Sequence, residues 1–149
     1  MLADAALVCY DTIVNRDRFK EIEHTADIAI QVWGSDLPEL FVNAAYGMAC
    51  QVTDAQDVDV AVERRIDVEG EDLEIVMVEW LGELLYLGER DGLVFTEFDI
   101  LEVTSRGLRA VVHGGPVETY HGHIKAVTFS ELEITRTDNG YETTIVFDV

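Results

Sequence analysis

Residues 23–34 read EHTADIAIQVWG, and this stretch joins a strand pattern to an unusual polar start. From Asp27 onward two sets of side chains alternate, with the period of two that predicts a half-buried strand. One set is Ile28, Ile30 and Val32, and the other is Ala29, Gln31 and Trp33. A turn such as Asn-Gly would have been enough to begin this strand. The His-Thr-Ala-Asp run before it therefore needs another explanation.

The length and composition indicate one globular domain. The chain has 149 residues, of which 48% are hydrophobic, enough for a sizeable core. No apolar run approaches the roughly 20 residues of a membrane span, and no basic segment precedes the apolar patch AALVCY as it would in a secretory signal. The two cysteines, Cys9 and Cys50, form no CxxC, so we expect Cys50 to be a plain core residue in a cytoplasmic protein.

The charge is strongly negative, with ten Lys and Arg residues against thirty Asp and Glu, for a net charge of −20. Such a field repels phosphates at modest salt, which disfavours broad binding of nucleic acid. An acidic surface with only two lysines, Lys20 and Lys125, also resembles that of salt-adapted proteins. Near 1 M salt a Debye length of about 3 Å screens the self-repulsion. This interpretation predicts that the protein unfolds when it is desalted.

Capping residues and apolar spacing predict two helices. Asp36 is a candidate N-cap, and Glu39 stands three residues after it, as in a capping box. In the second helix apolar residues recur at spacings of three and four, which indicates a face packed on a core. Glu71 and Asp72 suit the positive N-terminal end of that helix.

The order of elements predicts an α+β fold. Beyond the second helix the chain reads as strands, among them KAVTFSELEITRT, and Asp-Asn-Gly at 138–140 predicts a hairpin. We expect a single domain with a mixed or mostly antiparallel sheet and two helices packed on one face. Residues 1–18 have weak periodicity and are predicted to be a weakly structured extension.

Two carboxylates are predicted to meet at the ends of two strands. Asp27 opens one predicted strand, and Asp148 ends the last. If these strands are antiparallel neighbours, the start of one lies opposite the end of the other. The free carboxylate of Val149, the last residue, would then lie beside both. Oxygen ligands without a soft donor suit a hard cation such as calcium or magnesium; the alternative is that both aspartates are solvated turn residues.

The histidines and one lysine are further candidates. His121 and His123 could lie on one face of a strand as a zinc pair, but Gly122 between them breaks a strand, so a polar loop is favoured. His24 is expected to support Asp27 or to cap the backbone, with structural support favoured. Lys125 stands out because the chain avoids lysine. It is either an ordinary strand-edge residue or a group placed to meet an anion or a partner's carboxylate.

Four segments in the same order resemble the archease family. They are HTADIAIQVWG with the following LPELFVNAAYGM, then VEWLGELLYL, then IKAVTFSELEI, and finally TIVFDV. The resemblance runs from Phe19 to Val149, so residues 19–149 are expected to form an archease-like domain. Two departures are a compressed loop, GGPVETYHGH, before Lys125 and a final Asp-Val where Asp-Ile is commoner in the family.

The resemblance implies that the chain is a non-catalytic protein. Archeases are small cytoplasmic cofactors of the RtcB-type tRNA-splicing ligase, and they promote guanylylation of the ligase by GTP and its multiple turnover. By resemblance, Asp27, Asp148 and Val149 would bind a divalent cation, calcium first and magnesium or manganese otherwise, and Lys125 would be functionally important. The charge leads us to expect no direct binding of tRNA. The lack of a membrane-spanning apolar run leads us to expect no membrane partner.

Two other functions remain as alternatives. One is an autonomous metal-dependent enzyme, for example a hydrolase, which requires His113, His121 and His123 to converge with Asp27. The other is a general chaperone-like module for RNA-processing enzymes.

Overall fold

The structure, a computed structural model, describes residues 19–22 and 27–149, with the backbone alone at Ile22. This part of the chain contains eight strands, two α-helices and a short 3-10 helix at Ala55–Asp57. The helices are α1 (Leu37–Val52) and α2 (Leu73–Asp91). The strands are β1 (Phe19–Ile22), β2 (Ile28–Gly34), β3 (Val62–Glu69), β4 (Leu93–Thr104), β5 (Gly107–Pro116), β6 (Ala126–Val127), β7 (Thr135–Thr137) and β8 (Gly140–Asp148).

The strands form two antiparallel sheets. The first has the order β1-β2-β8-β6, and β7 also pairs with β8; the second has the order β3-β5-β4. The predicted α+β class with antiparallel pairing is confirmed. In the first sheet β8 pairs with β2, β6 and β7, and in the second sheet β5 lies between β3 and β4. The strands therefore form two sheets and not one.

The helices connect the two sheets. Helix α1 contacts β1, β2 and β8 as well as β4, and α2 contacts β3, β4 and β5 as well as β6. The helices therefore pack against both sheets, and one hydrophobic core includes side chains of both sheets and both helices. The indole N–H of the fully buried Trp80 donates a hydrogen bond of 2.9 Å to the carbonyl oxygen of Phe41, which ties α2 to α1.

Helix α1 begins at its predicted N-cap, Asp36. The Oδ1 atom of Asp36 accepts a hydrogen bond of 2.9 Å from the N–H of Glu39, and Glu39 Oε1 accepts one of 2.6 Å from the N–H of Ser35. These two bonds form a reciprocal cap of the capping-box kind. At α2 the Oδ1 atom of Asp72 accepts a hydrogen bond of 2.9 Å from the N–H of Ile75, and Gly92 ends the helix with a φ of 71°, where glycine is favoured. Neither helix has the length and apolar character needed to cross a membrane.

The segment KAVTFSELEITRT, predicted to be one strand, is mostly not a strand. Only its ends belong to the first sheet, as β6 and β7. Between them the chain turns, with the N–H of Leu132 donating to the carbonyl oxygen of Phe129 at 3.1 Å. The N–H of Ile134 donates to Glu74 Oε2 on α2 at 2.9 Å. The backbone of Ile134 therefore bonds to a helix, whereas in a strand it would bond to a neighbouring strand.

The environment of Cys50 also differs from the expectation. Cys50 lies near the end of α1, is half-buried and is disulfide-bonded, so the prediction of a plain core residue is wrong. The other cysteine of the chain, Cys9, lies outside the described residues.

Candidate functional site

The register of β2 and β8 brings Asp27 and Asp148 to the same end of the first sheet. Ile28 pairs with Phe147 in this antiparallel ladder. Asp27 immediately precedes Ile28, and Asp148 immediately follows Phe147, so the two aspartates occupy facing positions where the ladder ends. The pairing of these strands, from which their convergence was predicted, is confirmed.

Strand β6 adds Lys125 to this end of the sheet. Ala126 pairs with Asp148, and the backbone N–H of Lys125 donates a hydrogen bond of 2.7 Å to the carbonyl oxygen of Asp148. The side chains of Lys125 and Asp148 are exposed. Neither forms an ion pair within residues 19–22 and 27–149, so the ammonium and the carboxylate are both open to a ligand or partner.

The chemistry of these groups fits a hard divalent cation. Asp27 is half-buried, while Asp148 and Val149 are exposed. In the described part of the chain, no group of three or more His, Cys, Asp and Glu side chains is placed to hold a metal. The candidate site therefore has two carboxylate side chains and Val149, and a bound ion would retain several waters, as magnesium and calcium do. His24 lies outside the described residues, so its supporting role stays a prediction.

The described histidines do not converge. Each ring faces different carboxylates: His113 lies 3.3 Å from Asp99 and 3.8 Å from Glu63, His121 lies 3.6 Å from Asp54, and His123 lies 3.6 Å from Glu89. The segment that contains His121 and His123 is not a strand, so the two rings do not share a strand face. The polar loop that was favoured for this segment is therefore confirmed, and His121 and His123 do not form the alternative zinc pair.

The loop of residues 117–125 is anchored to the C-terminal end of α1. The N–H of His121 donates to the carbonyl oxygen of Val52 at 2.9 Å, and the hydroxyl of Thr53 donates to that of Thr119 at 3.1 Å. Gly122 lies so close to α1 that a Cβ atom there would overlap the carbonyl oxygen of Gln51. The loop then leads through the buried Ile124 to the candidate site.

An apolar pocket of about 300 Å³ lies under this loop, between α1 and α2. Small residues of the two helices, Ala45, Ala49 and Gly88, leave the space, and the exposed Tyr120 and His123 lie at its rim. No sequence pattern considered above predicts this pocket. The small residues of the two helices and the aromatic ring in a polar loop are the signals that would have pointed to it.

Sequence comparison identifies a family for most of the chain. Residues 19–149 match the model of the Archease protein family (MTH1598/TM1083). The protein named Protein archease from Methanosarcina mazei is 35% identical over 143 residues, which cover 89% of this chain and 96% of that protein. Protein archease from Archaeoglobus fulgidus is 34% identical over 136 residues, covering 89% of this chain and 99% of that protein.

Solved structures show the same fold. The solution structure of protein 1598 from Methanobacterium thermoautotrophicum superposes with a TM-score of 0.69 at 31% identity, covering 89% of this chain and 99% of that one. A crystal structure from Thermotoga maritima, described as that of "an archease, possible chaperone", has a TM-score of 0.63 at 23% identity and covers 87% of this chain and 96% of that one. At that identity the second structure supports the fold alone.

Proposed function

The chain belongs to the archease family, and on this premise we propose that it is a non-catalytic protein cofactor of an RtcB-type tRNA-splicing ligase in the cytoplasm. It promotes guanylylation of the ligase by GTP, so that the ligase turns over repeatedly while it joins tRNA exons. The observation that carries this proposal is the meeting of Asp27, Asp148 and Lys125 at one end of the first sheet.

The two aspartates and Val149 hold a divalent cation in this proposal, calcium first and magnesium or manganese otherwise. Asp148 ends a nine-residue strand, and Asp27 adjoins its ladder partner, so both carboxylates are carried by backbone that the sheet makes rigid. Such rigidity is what a preorganised binding site requires. A divalent ion held at an exposed end of the molecule is able to reach the active site of a second protein and change metal or nucleotide binding there.

The charges suit contact with the ligase protein better than contact with its RNA substrate. A net charge of −20 repels a phosphate backbone. Lys125 is an exception to this field, with an exposed side chain on a residue whose backbone bonds to that of Asp148. It is therefore suited to pair with a single anion on the partner, either a carboxylate or a nucleotide phosphate.

A ligation time course tests the proposal. Substoichiometric ligase from the same source is given GTP, manganese and a broken tRNA, with and without this chain. We expect a single-turnover ligase to become a multiple-turnover one, and Asp27→Ala, Asp148→Ala and Lys125→Ala to lose most of that effect. Asp59→Ala, an exposed aspartate in the loop before β3, is the matched control. We call the end of the first sheet that carries Asp27, Asp148 and Val149 the metal end. Full guanylylation supported by the folded Asp27 and Asp148 variants would contradict its proposed role.

The enzyme alternative has little support, because the histidines that it requires face separate carboxylates. The chaperone-like alternative differs in its specificity. It predicts equal effects on several unrelated RNA-processing enzymes in the same assay, whereas the cofactor proposal predicts an effect on one ligase.

A further inference from the structure

The apolar pocket between α1 and α2 is separate from the metal end but connected to it by the chain. Ile124 lines the pocket, and the next residue, Lys125, donates its N–H to Asp148. We propose that this pocket is a second docking point for the ligase, which inserts one apolar side chain flanked by basic residues. The inference rests on the proposed function and names a surface that the metal end does not include.

The pocket has the size and lining of a site for one apolar side chain. Its volume of about 300 Å³ is at the lower end of the range for binding sites. The walls are apolar helix residues, with Leu84 and Leu85 from α2 facing Met48 and Val52 from α1. An inserted leucine, methionine or phenylalanine would lose its contact with water without leaving a polar group unpaired.

Exposed aromatic residues flank the same stretch of chain. Tyr120 at the rim of the pocket is 50% exposed, and Phe129, four residues after Lys125, is 58% exposed. Both are large apolar groups on a surface that is otherwise rich in carboxylates. Aromatic residues are enriched at protein interfaces, and the residues that contribute most to binding are often among them. They lie before and after Lys125 in the sequence, so each side of this lysine presents one aromatic side chain to solvent.

The charge around the pocket favours a basic partner. Glu89 lies at the rim with its side chain 58% exposed, facing His123 at 3.6 Å. Asp148 lies at the other end of the loop, and the chain as a whole carries a net charge of −20. A partner segment with lysine or arginine beside its apolar residue would be attracted to this rim, and its association would be accelerated.

The test compares pocket variants with matched controls that lie elsewhere on α2. Tyr120→Ser removes the rim aromatic ring, and Tyr86→Ser removes an equally exposed tyrosine that does not line the pocket. Glu89→Lys reverses a rim charge, and Glu79→Lys reverses an exposed charge outside the pocket. All four positions are exposed, so each variant is expected to fold. The Kd for purified ligase from the same source is measured by fluorescence anisotropy.

We expect Tyr120→Ser and Glu89→Lys each to weaken binding by about tenfold, while Tyr86→Ser and Glu79→Lys remain within about twofold of the unmodified protein. If the unmodified protein activates the ligase and all four variants bind equally well, the docking inference is overturned and the proposed function stands. If the unmodified protein neither binds nor activates the ligase, the proposed function fails, and the inference fails with it.

Discussion

The backbone N–H of Lys125 donates a hydrogen bond of 2.7 Å to the carbonyl oxygen of Asp148. This bond fixes the one lysine of the second half of the chain next to the last strand, whose partner strand β2 follows Asp27. Lys125, Asp148 and Asp27, which are separated in the sequence, thereby lie at one end of a sheet. Because these residues are far apart in the sequence, they come together only through strand pairing. Measurements of stability, as well as of activity, can therefore probe this end of the sheet.

Calcium should stabilise the protein through the two aspartates. A ligand that binds only the folded state at 100 times its Kd contributes about 2.7 kcal/mol. We expect the melting temperature to rise with added calcium and to return when a chelator removes it, and Asp27→Asn and Asp148→Asn to abolish the rise. Asp59→Asn, which removes a charge elsewhere, should keep it. An equal response of all three variants would mean that calcium acts only by screening the negative charge.

The hydrogen bond from Trp80 to Phe41 should contribute measurably to stability. Trp80→Phe removes the donor to the Phe41 carbonyl and leaves part of a fully buried site empty. We expect the free energy of unfolding to fall by about 1–3 kcal/mol. The control is Trp33→Phe, since the half-buried Trp33 ring donates no hydrogen bond to a described residue. Urea denaturation of both variants in the same salt should show the larger loss at Trp80.

Gly122 should not tolerate even a methyl group. A Cβ atom at this position overlaps the carbonyl oxygen of Gln51, which is backbone and cannot rotate away. Gly122→Ala should therefore displace the loop from α1, destabilise the protein and change the backbone amide shifts of His121 and Ile124. Gly82→Ala on α2 meets nothing within 4 Å and should be neutral or slightly stabilising. Similar melting temperatures for the two variants would contradict this packing.

The stability contributed by Asp91 should depend on pH. Hydrogen bonds from the adjacent Arg90, with a smaller contribution from Arg64, lower the pKa of the Asp91 carboxyl group. A lowered pKa means that the stabilisation is present above the ordinary value of about 3.9 and is lost as the pH falls through the folded-state pKa. Asp91→Asn should be less stable than the unmodified protein at neutral pH, and the difference should vanish in acid.

Asp59→Asn is the control for Asp91, because it removes the same charge from a loop without these arginines. It should be neutral or stabilising at pH 7, since it reduces the repulsion between carboxylates. Thermal melts of both variants across the acid range separate the specific pairing from the general effect of net charge.

Salt should stabilise the protein by screening. With a net charge of −20, the folded state is opposed by self-repulsion that molar KCl removes. We expect the melting temperature to rise steeply between low and molar KCl, and much less in sucrose at matched osmolality. A melting temperature that does not change between low and molar KCl would contradict salt adaptation.

The elements that were predicted correctly depend on neighbours in sequence. The cap at Asp36 acts within three residues of the chain, and the alternation that begins at Ile28 is a local pattern. The convergence of Asp27 with Asp148 was also predictable, because it follows once two strands of known direction are paired.

The errors arose where one part of the chain packs on a distant part. The single strand predicted for residues 125–137 is wrong because part of this segment packs on α2, where Glu74 accepts a hydrogen bond from the N–H of Ile134. The loop around Gly122 was favoured correctly, but its packing against α1 was not foreseen. The spacing of apolar residues along the sequence cannot predict such contacts, since the residues that meet are about 60–70 positions apart.

The sequence by itself therefore determined the start of the first helix, the main strands and the negative field, because each is encoded by local pattern or composition. The tertiary structure alone decided that the strands divide into two sheets, that the helices pack against both, and that a pocket opens beside Lys125. These features depend on which surfaces meet when the core forms, and many side-chain patterns are compatible with more than one such arrangement.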